Sequence, residues 1–463
     1  MRLALPLVAF NLGTQLMAAV DTALSGRINA LAQGATGLGG VLFFAGALFG
    51  MGITMGIDPL TSQAFGARRE DVARNVLWQS VWVCLVVAIP ITLVIFAASR
   101  ALERMGISAE LAVETRRFLD ARLLSLLPLL LLTATRSYLQ SAHHTRAILL
   151  STVVANVFNF VADWTLMFGD DGLRRLGLPA LGIPAMGVAG LGYATTLATI
   201  VNLAILARAV GYVHAAHASA QPHAKSSTAT VVPLHARPFS RRPQRRTLAR
   251  IFSVGLPIGA HMLAEIGIFS LAGLLAGRIS EVAMAAHQVA LQLCALTFMV
   301  PLGVSSATSV RVGRAIGAED PESMRHAGLA GIGLGAAFML LAAVSMWMLA
   351  PAYARLMSAD PDVITLASKL ILIGGAFQLF DGIQVVSAGA LRGAGLTTWT
   401  MGANLVAYWF VAFPLLLTLG LGFQFGVQGI WWGLTVGLAV AAALLATKFA
   451  TISREPIARL EAA

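Results

Sequence analysis

The chain has 463 residues, of which 57% are hydrophobic and only 11% are charged, and its formal net charge is +11. Soluble proteins carry about 25% charged residues, so this composition excludes a water-soluble fold and predicts a protein whose apolar surface lies in a bilayer. The apolar runs do not alternate polar and apolar residues, which excludes a transmembrane β-barrel and leaves an all-α membrane protein.

Twelve apolar runs, taken in chain order, are long enough to cross a hydrocarbon core of about 30 Å as helices. They lie near residues 3–25, 36–60, 76–98, 119–141, 147–168, 185–211, 250–276, 283–306, 326–350, 366–392, 399–421 and 426–450. The first run is interpreted as a span and not as a signal peptide, because further runs follow it and it takes part in an internal repeat.

The segment 212–249 interrupts this pattern, because it is rich in His, Ser, Pro and Arg and has no apolar period. It predicts a cytoplasmic basic linker between an N-terminal six-helix lobe at 1–211 and a C-terminal six-helix lobe at 250–450. Residues 451–463 are expected to form a cytoplasmic tail.

Most Lys and Arg residues lie in the loops on the same side as this linker. This is the positive-inside bias, and it predicts a multi-pass protein of the bacterial inner membrane with both termini in the cytoplasm. The same placement disfavours a nucleic-acid partner. The exception is the loop between the third and fourth runs, whose basic residues on the predicted outside are Arg100, Arg104, Arg116, Arg117 and Arg122.

The two lobes repeat each other at a constant spacing. Leu5-Pro6, Gly26-Arg27-Ile28 and Gly66-Ala67 recur as Leu256-Pro257, Gly277-Arg278-Ile279 and Gly317-Ala318. Because each lobe has an even number of spans, both lobes enter the membrane from the same side, and the repeat is parallel about an axis along the membrane normal. Two such lobes that meet at a cleft suit alternating access, which favours a transporter over a channel.

Five acidic residues lie within or against the apolar runs, namely Asp21, Asp58, Asp163, Glu265 and Asp381. An ionisable side chain inside a span is costly unless it faces a polar cavity or a partner. Burial disfavours the charged form of a carboxyl group, and carboxylate oxygens are good ligands for hard cations. Both properties indicate a relay for H⁺ or Na⁺.

Each acid also has a structural interpretation. Asp163 follows Asn159 by one helical turn, so that the two side chains share a face and could form a polar clamp between helices. Asp21 lies near the outer end of its run, where it could reach water, and Asp58 precedes Pro59 near the end of another run. Glu265 lies in mid-span, as does Asp381, and a structural role explains this pair least well.

Weaker candidates for a substrate cleft are the polar and aromatic side chains of the later spans. They are His287, Gln288, Phe377 and Gln384, with Asp58 as an acidic candidate. Aromatic rings suit flat cationic compounds, although helix packing explains such residues equally well. The sequence has no GxxxxGK[ST] phosphate loop, so we expect that ATP hydrolysis does not drive the protein. We also expect that it is not an enzyme and needs no cofactor beyond a coupling ion.

Five separated motifs resemble the multidrug and toxic compound extrusion (MATE) family. They are Val20–Thr22, Asp58–Ala67, Ala286–Ala290, Val310–Gly313 and Ser387–Gly393. The resemblance implies a V-shaped bundle of twelve helices that exports cationic or aromatic amphipathic small molecules by antiport with Na⁺ or H⁺. It is strongest to the bacterial NorM-like branch, which carries a Glu in the seventh helix and an Asp in the tenth, matching Glu265 and Asp381. A monomer in contact with membrane lipid is expected.

The family's relay in the N-terminal lobe uses an Asp, an Asn with an Asp, and a Thr, which match Asp21, Asn159 with Asp163, and Thr195. NorM-like proteins often carry Asn where this chain has Asp163, which is more similar to the DinF-like branch. The resemblance therefore implies a cation site in either lobe. Na⁺ would lie at Glu265 and Asp381, or at Asp21, Asn159 and Asp163.

Two other functions are compatible with a polytopic protein. A flippase for lipid-linked precursors or polysaccharides, from the same superfamily, would need a cationic cleft for its anionic cargo, whereas the deep charges of this chain are acidic. A receptor or scaffold that transports nothing would not explain why carboxyl groups lie within the apolar runs.

Overall fold

The computed structural model describes residues 3–175, 177, 179–220, 241–455 and 457–460. Within this part of the chain, eleven helices are long and apolar enough to cross a membrane, and a twelfth span results if the bent pair between residues 109 and 141 counts as one. The protein is therefore a multi-pass membrane protein, and the predicted all-α fold is confirmed.

The first half of the described chain consists of helices joined by short turns. They are α1 (Ala4–Ser25), α2 (Ala30–Thr54), α3 (Ile57–Gly66), α4 (Glu70–Ala101), α5 (Ala109–Leu123), α6 (Leu126–Ser141), α7 (Thr145–Arg175) and α8 (Val188–Ala220), with a 3-10 turn at Glu103–Met105. Asn29 begins α2 by accepting a hydrogen bond from the backbone N–H of Ala32 at 2.7 Å, as an N-cap residue does.

The second half continues in the same way. Its helices are α9 (Arg245–Ile279), α10 (Glu281–Gly317), α11 (Pro321–Met357), α12 (Pro361–Gly393), α13 (Thr397–Leu405), α14 (Phe413–Leu417) and α15 (Gly426–Ile452). Ser280, Asp320 and Asp360 are N-cap residues that accept backbone hydrogen bonds at the starts of α10, α11 and α12. Two π-helical segments, Val406–Ala412 and Thr418–Gly422, lie beside α14.

The structure differs from the predicted runs in three places. The second run divides into α2 and α3 at Met55 and Gly56, and the fourth is a pair, α5 and α6, that bends by 43°. The predicted basic linker over 212–249 is helical at both ends, because α8 continues to Ala220 and α9 begins at Arg245. Alanine favours the extension of α8, and Pro243 is tolerated just before a helix start. The middle of the predicted linker, 221–240, lies outside the described residues.

The chain divides into two compact units. The C-terminal unit contains Met1–Leu12, Asp58–Arg68 and Ser253–Glu461, and the N-terminal unit contains Gly13–Ile57 and Arg69–Phe252. These bounds differ from those of the predicted lobes, because the start of α1 and most of α3 pack with later helices. At the start of α1, for example, a Cβ atom added to Gly303 of α10 would lie only 2.5 Å from the side chain of Val8.

In the N-terminal unit, α8 packs closely against α5 and α7. A Cβ atom at Gly192 of α8 would lie 2.8 Å from the carbonyl oxygen of Phe118, and one at Gly190 would lie 2.6 Å from the backbone of Leu166. Only glycine permits approaches this close, so these two positions fix where the following turn of α8 lies.

In the C-terminal unit, α3 crosses α10 with backbone in direct contact. A Cβ atom on Gly66 would lie 2.0 Å from the carbonyl oxygen of Arg314, and one on Gly317 would lie 2.0 Å from that of Gln63. The sequence repeat places Gly66 opposite Gly317 and Gln63 opposite Arg314. The contact is therefore reciprocal between the two copies of the repeat.

A second pair of residues marks the centre of this crossing. Ser62 and Gly313 are equivalent in the sequence repeat, and a Cβ atom on Gly313 would lie 2.0 Å from the Ser62 hydroxyl oxygen. The two equivalent positions therefore contact each other at the centre of the crossing of α3 and α10.

Candidate functional site

Four predicted residues come together in the N-terminal unit as a cluster of polar side chains, which we call the N-terminal cluster. It contains Asp21 of α1, Asn159 and Asp163 of α7, and Thr195 of α8. The Thr195 hydroxyl donates a hydrogen bond to Asp21 Oδ2 at 3.2 Å, and Asn159 and Asp163 lie near the same carboxyl group. Asn159 and Asp163 are almost completely buried, as their shared helix face predicts.

Four buried polar atoms of the N-terminal cluster have no hydrogen-bond partner among the described residues. They are Asp21 Oδ1, Asn159 Nδ2 and both carboxyl oxygens of Asp163. A buried polar atom without a partner costs about 1–3 kcal/mol, more if it is charged. A proton or a small cation at the cluster would offset this cost for the three carboxyl oxygens, so the arrangement suits exchange of a positive charge.

Arg122 adds a positive charge to this cluster, which the sequence did not predict. Its guanidinium carbon lies 4.6 Å from the centre of the Phe43 ring, and its charge acts on both Asp21 and Asp163. From the sequence, Arg122 was expected among the loop charges on the outside. Its position inside the apolar run 119–141 was the available signal that this arginine lies deeper.

A second cluster lies in the C-terminal unit, which we call the C-terminal cluster. Glu265 of α9 accepts a hydrogen bond from the Tyr408 hydroxyl at 3.0 Å, and Nε2 of His261, one turn earlier, lies 3.4 Å from its other carboxyl oxygen. Asp381 of α12 is buried, and the charge of Glu265 acts on it. The structure therefore brings together the two acids that the sequence placed deepest in the later spans.

Tyr408 was not predicted, although its side chain is buried and contacts Glu265. It belongs to the π-helical segment Val406–Ala412, whose wider turn changes the direction of side chains, and such segments often occur at functional sites. The available signal was Asn404, one turn before Tyr408 in an otherwise apolar run.

Gln384 and Gln378 extend the polar surface of α12 on either side of Asp381. The amide of Gln384 donates to Asn404 Oδ1 at 3.1 Å, and that of Gln378 donates to the Thr297 hydroxyl. The side-chain carbonyl oxygen of each glutamine is buried without a partner among the described residues. The role of Gln384 in binding substrate stays a prediction.

The other candidates for a substrate cleft occupy different surroundings. His287 is fully buried and accepts a hydrogen bond from the Trp431 indole at 3.1 Å, and the Phe377 ring lies 5.7 Å from Trp431, centre to centre. Phe377 belongs to the hydrophobic core of the C-terminal unit and His287 is buried beside Trp431 of the same core, as the packing interpretation expected, whereas Gln288 is exposed. Their contact with substrate stays a prediction.

Asp58 pairs with Arg392, whose Nη1 lies 3.8 Å from Asp58 Oδ2, and both side chains are buried in the C-terminal unit. The amide of Gln63, one turn after Asp58 and Pro59, donates to the carbonyl oxygen of Gly393 at 3.1 Å. These contacts join α3 to the end of α12, which agrees with the helix-end interpretation of Asp58. Its proposed contact with substrate is a prediction that these distances do not address.

A family model described as MatE matches residues 6–165 and 257–418 of the chain. The probable multidrug resistance protein NorM of Bradyrhizobium diazoefficiens is 32% identical, over 98% of this chain and 93% of its own length. The corresponding protein of Mesorhizobium japonicum is 34% identical, over 96% and 92%.

Solved structures share the fold at lower sequence identity. The crystal structure of a eukaryotic MATE transporter matches with a TM-score of 0.80 at 20% identity, over 98% of this chain and 97% of its own. An outward-facing multidrug resistance MATE family transporter of the MOP superfamily matches with a TM-score of 0.83 at 20% identity, over 98% and 95%. At this identity the likeness establishes the fold alone.

Proposed function

The chain belongs to the MatE family, and on this basis we propose that it is a secondary active multidrug efflux transporter of the bacterial inner membrane. It exports cationic, amphipathic organic compounds by antiport with H⁺ or Na⁺, with both termini in the cytoplasm. The observation that carries the proposal is a pair of acids in each unit, Asp21 with Asp163 and Glu265 with Asp381, in which Asp163 and Asp381 are buried. The names of its relatives support the class of substrate.

The chemistry of the two clusters supports coupling to a cation gradient. A cation that moves inward through 100 mV releases about 2.3 kcal/mol, and any concentration gradient adds to this. For that energy to drive export, the ion and the compound must bind with different affinities to the two access states. Cation binding at the clusters lowers affinity for the compound on the outer side, and return with the bound ion restores the inward-facing state.

The acidic character of the clusters also supports a cationic cargo. Glu265, Asp381, Asp21 and Asp163 contribute four carboxyl groups at depth, against the single guanidinium of Arg122 in the N-terminal cluster. An anionic headgroup would be repelled by such a surface, whereas a flat organic cation would be attracted to it. We propose that the transporter acts as a monomer, because each unit of the described chain contains its own cluster.

Transport into everted membrane vesicles tests the proposal. Vesicles that contain the protein should accumulate a fluorescent cationic dye when a Na⁺ or proton gradient is imposed, and should stop when the gradient is collapsed. Vesicles without the protein are the control for native pumps. Uptake that persists without any ion gradient, or no uptake of any of several cationic dyes, would show that the chain is not a cation-coupled drug exporter.

A further inference from the structure

Arg122 is held beside the N-terminal cluster by contacts with neighbouring helices. It lies in the last turn of α5, where the chain bends by 43° into α6. The guanidinium packs on the Phe43 ring of α2 at 4.6 Å, and its Nη1 is buried with no hydrogen-bond partner among the described residues. An aromatic ring face holds a cation in place without neutralising it.

The backbone around Arg122 is fixed to the helix that carries Thr195. The Thr196 hydroxyl donates to the carbonyl oxygen of Ala121 at 3.0 Å, and a Cβ atom on Gly192 would lie 3.2 Å from the backbone nitrogen of Arg122. Since Thr195 donates to Asp21, the guanidinium and the carboxyl group are held by the same turn of α8. The relative position of the opposite charges therefore follows from helix packing.

The charged groups that face Arg122 are Asp21 from α1 and Asp163 from α7, and its charge acts on both. The facing residue from α2 is Phe43 and the residue of α8 that approaches the Arg122 backbone is Gly192, both neutral. A guanidinium stays charged in proteins. When both acids are ionised, the cluster together with Arg122 thus carries a net charge of −1 and not −2. One positive charge that the acids would attract is therefore already present.

We propose that Arg122 acts as a built-in cation which takes the place of a metal ion in the N-terminal cluster, so that Asp21, Asn159 and Asp163 exchange a proton but hold no Na⁺. The inference rests on the proposed function, since it assigns the coupling ion to a cluster already proposed to couple transport. An entering Na⁺ meets the repulsion of the guanidinium, and its attraction to the two acids is shared with Arg122. A proton, in contrast, bonds directly to one carboxyl oxygen and needs no shell of ligands.

Binding of ²²Na⁺ to the purified full-length protein at pH 8.5 tests this inference without any transport step. The C-terminal cluster is silenced by Glu265→Gln with Asp381→Asn. The protein with Arg122 intact is expected to bind no Na⁺ specifically. Addition of Arg122→Gln should raise the affinity for Na⁺ by roughly tenfold or more, so that specific binding becomes detectable, because the repulsion is removed. Further addition of Asp163→Asn should abolish this gain.

Arg117→Gln is the matched control, because Arg117 lies on the same helix and pairs with Glu114 at 2.7 Å near the surface. This variant should gain no Na⁺ binding. Specific Na⁺ binding by the protein with Arg122 intact, lost on Asp163→Asn, would overturn the inference, and this measurement is valid even if Arg122→Gln fails to fold. Equal Na⁺ binding with and without Arg122→Gln in a folded protein would also overturn it. Failure of dye transport alone would instead count against the proposed function.

Discussion

Glu265 and Asp381 are the two acids of the C-terminal cluster, and each is expected to be required for coupling. Glu265→Gln and Asp381→Asn keep the side-chain shape but can neither exchange a proton nor offer a full charge to Na⁺. Each should lower gradient-driven dye efflux by roughly tenfold or more, with normal insertion into the membrane. Asp362→Asn is the matched control, because Asp362 is exposed on the same helix as Asp381. Wild-type efflux from either variant would remove the C-terminal cluster from the mechanism.

Asp163→Asn should weaken transport and change its pH dependence, and leave the range of exported compounds unchanged. The reason is that the two acids of the N-terminal cluster lie close enough for their charges to interact and cannot both ionise cheaply in a dry interior. The measurement is efflux as a function of pH, alongside thermal unfolding in detergent. A lower melting temperature with an unchanged pH profile would mean that Asp163 only clamps α7.

The acids could be predicted from the sequence because an ionisable residue in an apolar run is rare in itself. Arg122 and Tyr408 could not be assigned in the same way. Arg122 lies near the end of a run, where arginines commonly reach the interface, and a tyrosine in a span is ordinary. Their roles depend on which helices meet, and close backbone approaches at positions such as Gly192 determine that.

A row of polar side chains on α4 binds the segment that leads into α9. The Gln79 side chain donates to the carbonyl oxygen of Arg242 at 2.9 Å and accepts from the backbone nitrogen of Gln244 at 2.7 Å. Asn75 and Trp82, on the same helix face, bond Gln244 and Arg241. The start of α9 is therefore attached to the N-terminal unit by a specific set of hydrogen bonds.

Gln79→Leu should detach this segment, because two backbone groups lose their partners at a cost of about 1 kcal/mol each. We expect faster trypsin cleavage after Arg241 in mild digestion, detected by mass spectrometry, and a lower melting temperature. Gln33→Leu, at an exposed site on α2, is the control for the loss of a glutamine. An unchanged cleavage rate in Gln79→Leu would show that α9 is held by other contacts.

The apolar runs predicted the helices well, since their number and order follow from the thickness of a bilayer. The bounds were less accurate where helices extend beyond the apolar runs. The extension of α8 to Ala220 consists of small and polar residues, and hydropathy gives no signal for such a helix. The break between α2 and α3 was also hidden, because both sides of it are apolar.

The orientation of the whole chain follows from its basic residues and can be tested at Ser227. This residue lies in the segment 221–240, outside the described residues. Ser227→Cys should resist a membrane-impermeant thiol reagent in intact cells and react after permeabilisation, because the segment is predicted to be cytoplasmic. The native thiols of Cys84 and Cys294 are buried and should not interfere. Ready labelling in intact cells would reverse the predicted topology.

Gly66→Ala and Gly317→Ala should destabilise the protein to a similar degree, because each added Cβ would lie 2.0 Å from a backbone carbonyl oxygen of the opposite helix. Both should lower the melting temperature in detergent. Gly333→Ala is the control, since nothing lies within 4 Å of a Cβ atom there, and alanine in an open helix stabilises by up to about 1 kcal/mol. A loss confined to one of the two glycines would contradict a symmetric crossing.

The family predicted from the sequence motifs is confirmed by the match of its model to both halves of the chain. The internal repeat was also visible in the sequence, but the contact units of the structure were not. Residues 58–68 belong to the first copy of the repeat and pack in the C-terminal unit. A sequence repeat shows which residues are equivalent. It does not show which helix surfaces pack together.

The crossing of α3 and α10 has the form of an interface between two identical chains. In a symmetric homodimer, if one residue of the first copy contacts a different residue of the second copy, the same two residues also make contact with the copies exchanged. Gly66 contacts Arg314 and Gly317 contacts Gln63 in this way, around the contact between the equivalent residues Ser62 and Gly313. An ancestral gene for one six-helix chain could have produced such a dimer, and its duplication and fusion would leave the dimer contact inside a single polypeptide.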